Sequence, residues 1–132
     1  MEKKLKFSII AIIGISSFTV LLIANFSLYP NPNTSSKEIV NNINLIVDYN
    51  NGTIKIHENF TLDNWKTTVF DALDKWCDVI IIDYVWGIFV SEIDGVSGNW
   101  IYMVNNSTPY VAAHNYQLND GDEVKWLIRT IF

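Results

Sequence analysis

The chain predicts a two-layer α+β domain, with a mixed sheet of four or five strands packed on one helix, preceded by a single N-terminal transmembrane helix. Three observations carry this. An uncharged run fills residues 7–29 behind three lysines. One apolar stripe recurs at helical spacing within residues 64–76. Short alternating apolar segments flank that stripe on both sides, punctuated by Asn-Gly and Asp-Gly turn signals. A lone helix among strands can bury its stripe only on one face of a sheet.

Lys3, Lys4 and Lys6 precede the run Phe7 to Tyr29, whose 23 residues suffice to cross a ~30 Å hydrocarbon core at 1.5 Å per residue. The positive flank stays cytoplasmic, which places all that follows outside the cell. A cleaved secretory signal, giving a secreted protein, is the competing reading. Against it, Leu22 occupies the −3 position of the cleavage site nearest Ala24. Residues 1–29 are thus read as a lysine tip and membrane anchor, and residues 30–38 as a linker. Residues 30–37 (PNPNTSSK) cannot form a core or a regular element. Residues 39–132 are read as one extracytoplasmic domain.

Within that domain, residues 44–49 read as a strand with Leu45, Val47 and Tyr49 on one face. Asn50-Asn51-Gly52 closes a hairpin. Residues 54–60 return, with Ile54, Ile56 and Phe60 facing the same side and Lys55 and His57 opposite. Thr61 or Asp63 caps a helix over residues 64–76, whose Trp65, Val69, Ala72, Leu73 and Trp76 form one stripe. Residues 79–86 are a β-branched strand, bent at Gly87 and continued by residues 88–93. Residues 100–104 form the next strand. Residues 124–132 form the last, with Val124, Trp126, Ile128 and Phe132 alternating with Lys125 and Arg129.

Charge narrows the function classes. Residues 1–29 carry three Lys and one Glu; residues 30–132 carry five Lys and one Arg against thirteen Asp and Glu, a net −7. Such a domain has no attraction for phosphate backbones, so nucleic acid is not an expected partner. Cys77 is the single cysteine, which excludes an internal disulfide and reads as a small buried apolar residue. His57 and His114 have no Cys, His or Glu at ligand spacing, so they read as solvent-exposed residues and no metal is expected. Asp120, Asp122 and Glu123 lack the spacing of a calcium loop. No nucleophile elbow, Cys–His pair or phosphate-binding glycine loop occurs, so the protein is read as a non-enzyme without a cofactor.

The aromatic residues are the informative set. Most of Trp86, Trp100, Tyr102, Tyr110, Tyr116 and Trp126 read as core. Tyr110 and Tyr116 instead lie in residues 105–120, a connection longer than a tight turn needs, and long loops on a rigid sheet often carry binding. Asn-x-Ser/Thr sites at Asn33, Asn51, Asn59, Asn105 and Asn106 are candidate glycan acceptors on an exterior domain.

The ordered set Phe89-Val90, Ile93-Asp94-Gly95-Val96, Asn99-Trp100, Tyr102, Val104-Asn105-Asn106, then Tyr116, Leu118, Asp120 to Val124 and Trp126, resembles the transcobalamin-like C-terminal domain family. Upstream, Thr68 to Leu73 (TVFDAL) is similar to the family's helix. The resemblance covers residues 44–132. Where the family often has Asn-Gly after the Trp strand, this chain has Asn105-Asn106, and Asn also tolerates positive φ. The resemblance implies a β-grasp-like fold. It also implies that Trp100, Tyr102, Ala112, Ala113, His114 and Tyr116 face a ligand such as cobalamin, with His114 a conceivable ligand to its cobalt. The reading is a membrane-anchored, non-enzymatic binding module for cobalamin or another small molecule. The alternative is an envelope protein-interaction or adhesion module with no small-molecule ligand.

Overall fold

The structure, a computed structural model, describes residues 35–131. The expected membrane anchor, most of the expected linker and Asn33 lie outside the described residues. Residues 33–132 form one compact unit.

β1 (Val40–Asp48) and β2 (Ile54–Leu62) form the expected hairpin through Asn50 and Gly52, both at positive φ. β1 begins four residues before the sequence reading placed it, because its Val40 and Ile43 are also fully buried. The helix α1 (Val69–Trp76) follows, then β3 (Val79–Tyr84), β4 (Gly87–Ile93), the short β5 (Val96–Ser97), β6 (Trp100–Val104), a 3-10 turn (Ala113–Asn115) and β7 (Glu123–Ile128). β2, β1, β7 and β6 lie side by side in a mixed sheet, with β1 and β7 parallel and the other pairs antiparallel. β3, β4 and β5 make a second, antiparallel sheet. The α+β class therefore stands. Two sheets take the place of the single one expected, since β3 and β4 pair with each other and not with β6.

The core sits against the central strands. Ile43, Leu45 and Val47 of β1, Val69, Ala72 and Leu73 of α1, and Val124 of β7 are fully buried. Each of these Val, Leu and Ile side chains contributes ~1.5–3 kcal/mol on leaving water.

In β2 the expected alternation is broken. Ile54 and Ile56 are 55% and 56% exposed, whereas Phe60 and Leu62 are buried. The pairs Val40–Leu62, Ile43–Phe60 and Leu45–His57 require one extra residue on each strand. Asn42 and Asn59 take left-handed conformations at these two bulges, and the Asn59 amide donates to Asn44 Oδ1 at 2.9 Å. A bulge shifts a period-2 pattern by one residue. Lys55 and His57 therefore share the side of Phe60.

The helix begins later than the stripe implied. Asn64 and Trp65 both have positive φ, and Trp65 is 60% exposed. Neither Thr61 nor Asp63 caps α1. The cap is Thr68, whose Oγ1 accepts from the Asp71 amide at 3.2 Å while Asp71 Oδ2 accepts from the Thr68 amide at 2.9 Å. This reciprocal pair satisfies two amide donors at the helix start. Substituting Thr68→Ala is expected to cost ~1 kcal/mol, read as a lower urea midpoint at unchanged slope.

Residues 79–93 are a hairpin, not a bent strand. Val85 and Trp86 form its turn, and Tyr84 pairs with Gly87. Asp94-Gly95 is a turn with both residues at positive φ, as its composition implies. Asn105-Asn106 likewise forms a tight turn at φ 49° and 64°. Asp120-Gly121 is a turn that leads into β7 and does not join two antiparallel strands. β7 stops at Ile128, short of the expected end.

Candidate functional site

β6 alternates strictly. Trp100, Tyr102 and Val104 are buried while Ile101 and Met103 are half-buried. Trp100 is fixed by its indole N–H donating to the Val96 carbonyl at 2.9 Å. Tyr102 donates its hydroxyl to the Val111 carbonyl, packs tilted on Trp126 at 5.4 Å, and meets Tyr116 edge-on at 6.2 Å. Burial raises the Tyr102 pKa, with the neighbouring Tyr116 adding to the shift. Both phenols stay neutral at physiological pH, so Tyr102 is held as a donor that pins the loop over β6.

A cleft of about 380 Å³ opens between β6, this loop and the β3–β4 hairpin. Five of the seven sequence-derived residues line it: Trp100, Tyr102, Tyr110, Ala112 and Ala113. Tyr110 stands at the rim, wholly exposed. His114 and Tyr116 do not line it. Tyr116 backs Tyr102, and a Cβ placed on Gly87 would come within 3.4 Å of His114 Cε1. The other wall was not legible from the sequence. Trp86 and Phe89 of the hairpin and Phe70 of α1 complete the lining. The available signal was Trp86 beside Gly87, an aromatic at a point where the strand had to turn. Trp126 forms part of the floor, is 2% exposed, and its indole N–H has no partner among the described residues.

The histidines are not the free surface residues expected. His57 stacks on Trp76 with ring centroids 4.0 Å apart, and its Nε2 is buried. His114 is half-buried with a buried, unpartnered Nδ1. Among the described residues, no three His, Cys, Asp or Glu side chains converge as metal ligands do. Cys77 is buried, and burial first, then the nearby Asp94 charge, pushes its thiol up to about 11. Its thiolate fraction at neutral pH is therefore negligible.

Residues 66–129 match a domain family described as a domain of unknown function, DUF4430. Seventeen solved chains match. One is a protein from Ruminococcus gnavus ATCC 29149 named for a suspected metal-binding role, at 15% identity and TM-score 0.54, covering 69% of this chain and 98% of that one. Another is haptocorrin in complex with Cbi, at 16% identity and TM-score 0.54, covering 74% of this chain and 27% of that one. The described domain shares its fold with these two chains. Comparison with curated proteins gives no match. The likeness to haptocorrin is one of fold, and it spans about a quarter of that chain. Neither structural description names a catalytic activity.

The candidate glycan acceptors Asn51, Asn59, Asn105 and Asn106 are all exposed. Asn105 is already engaged. Its Nδ2 donates to Asp122 Oδ1 at 2.8 Å and its Oδ1 accepts from the Glu123 amide at 2.9 Å.

Proposed function

We propose that this domain is a non-enzymatic binding module, held outside the cell by residues 7–29, whose cleft receives the flat apolar face of a small ligand. Cobalamin or a related corrinoid is the leading candidate. The observation that carries the reading is the cleft itself. Aromatic rings from β6, the 105–122 loop and the β3–β4 hairpin converge on one concavity with few polar groups, as small-molecule sites do. At about 380 Å³ it lies near the lower end of the ~300–1,000 Å³ typical of ligand sites. A corrinoid is larger, so the cleft grips one edge or face and leaves the rest to solvent or a partner. The kinship in fold with haptocorrin, solved with Cbi, supports this ligand class.

Calorimetric and absorbance titration of residues 33–132 with cobalamin and cobinamide tests the proposal. Saturable heat and a spectral shift are expected, and Trp100→Ala is expected to weaken binding ~3–10-fold through loss of one ring contact. Silence from both ligands at high micromolar concentration turns the assignment to the protein-interaction alternative. Protease accessibility on intact cells tests the tether independently: the domain is expected to be cleaved without lysis.

A further inference from the structure

The β3–β4 hairpin carries an apolar surface that runs on from the cleft wall, to which its Trp86 and Phe89 also belong. Ile80, Ile82 and Tyr84 of β3 point the same way, and Phe89 pairs with Ile82 across the strands. All four are between 43% and 55% exposed. At the tip, Val85 is wholly exposed and Trp86 is 76% exposed. The aromatic rings are ordered against one another: Tyr84 stacks on Trp86 at 5.3 Å, and Phe89 meets Tyr84 edge-on at 5.4 Å. A contiguous apolar patch of this kind on a small acidic domain marks a contact surface.

We propose that this hairpin tip docks on a lipid bilayer surface, inserting Val85 and Trp86 at headgroup depth. The inference rests on the membrane-tether reading above. Chain length argues for this occupant. Only residues 30–34 separate the uncharged run ending at Tyr29 from the described residues, a reach of less than ~20 Å at ~3.5 Å per residue. Position argues for it as well. One short segment, residues 112–117, touches both the start of the domain and the base of the hairpin tip. The Lys37 amide donates to Gln117 Oε1 at 3.2 Å, and a Cβ on Gly87 would lie 3.3 Å from Ala112 and 3.4 Å from His114. The base of the tip and the first described residues of the domain thus pack on the same short segment.

Chemistry fixes the kind of lipid and the depth. Residues 79–93 contain no Lys, Arg or His, and they carry Asp83 and Glu92. Neutral headgroups, not anionic ones, suit this element. Trp and Tyr are the side chains that settle at a membrane interface, apolar body inward and polar tip toward water. β3 is the edge of its sheet, so its outer backbone groups need water, and insertion stops at the headgroup layer.

The test supplies its own tether, so that it stands whether or not residues 7–29 span a membrane. Residues 33–132 form one compact unit. Carrying an N-terminal His tag, they are docked on phosphatidylcholine vesicles through a nickel-chelating lipid. An environment-sensitive dye is placed at Val85→Cys, with Asn51→Cys as the water-side reference; the buried Cys77 labels poorly. Emission at position 85 is expected to blue-shift and rise about threefold on docking, as for a probe entering the interface, with no change at position 51. Adding Ile82→Asp is expected to abolish the shift and leave cobalamin titration unchanged, since Ile82 does not line the cleft. Identical, unshifted emission at 85 and 51 overturns the proposal. So does a shift that survives Ile82→Asp, or a micromolar dimer in sedimentation that Ile82→Asp dissolves. Failure of the cobalamin titration alone leaves these readouts intact.

Discussion

Replacing Leu73 with Ala is expected to lower the unfolding free energy by ~2–5 kcal/mol, while Trp65→Ala changes it by less than about 0.5 kcal/mol. The two residues belong to one stripe by helical spacing, and Trp is the larger. Structure separates them. Leu73 is fully buried, as are Val69 and Ala72, and an eight-residue helix keeps its shape only while that buried face stays packed. Trp65 precedes the Thr68 cap, has φ 64° and is 60% exposed. Removing Leu73 opens a cavity beneath a helix too short to readjust; removing Trp65 releases a ring already in water. Urea denaturation of residues 33–132 measures both. Comparable losses at the two positions would return Trp65 to the core ridge and overturn the helix boundary described here.

Legibility from the sequence followed the physical range of the signal. Residues 100–104 and the Asn50-Gly52 hairpin were readable, because a period-2 pattern and a turn able to take positive φ act within a few residues. The helix start was misplaced because the apolar stripe runs on through Trp65, while the decisive signal was Thr68 with Asp71 three residues later. The broken alternation of β2 was hidden by its bulge at Asn59, which obeys no periodicity and becomes visible only through pairing with β1. The β3–β4 turn was missed because Val85 and Trp86 are strand-forming residues. They occupy a turn although neither is Gly, Pro, Asn or Asp, and both are exposed. That same departure from ordinary turn composition is what identifies the tip as a contact surface. For the candidate site, the β6 and loop wall was legible through its recurrent aromatics. The hairpin wall was not, since it depends on a second sheet that folds across the first.

Replacing Asp94 with Ala is expected to cost ~2–3 kcal/mol, since hydrogen bonds to a charged group contribute ~1.5–3 kcal/mol and this one is partly solvated. Asp94 ties three elements together. Its carboxylate accepts from the Tyr49 hydroxyl at the end of β1, from the Asp78 amide at 2.9 Å before β3, and from Lys55 Nζ at 3.1 Å on β2. Lys55 also donates to the Trp76 carbonyl at 2.7 Å, which fastens the end of α1. Burial opposes the Asp94 charge, but the Tyr49, Asp78 and Lys55 donors outweigh it, and the carboxyl is held below its ordinary value. Stability from this group is therefore present above the unfolded-state carboxyl pKa, near ~4, and lost as pH falls through the lower folded value. Tyr49 has the opposite sign. Burial, then the hydrogen bond and charge of Asp94, raise its phenol pKa. Its contribution is complete below the unfolded tyrosine value of ~10 and declines as pH rises toward the folded one. Cys77, raised to about 11, begins the alkaline loss near its unfolded value of ~8.5–9. The urea midpoint should thus be level from about pH 5 to 8 and fall on both sides. Asp94→Asn should flatten the acid limb and weaken the alkaline one, because the same carboxylate raises Tyr49 and Cys77. An acid limb unchanged in Asp94→Asn would show that other carboxylates govern it, and that the Asp94 charge contributes little to this junction.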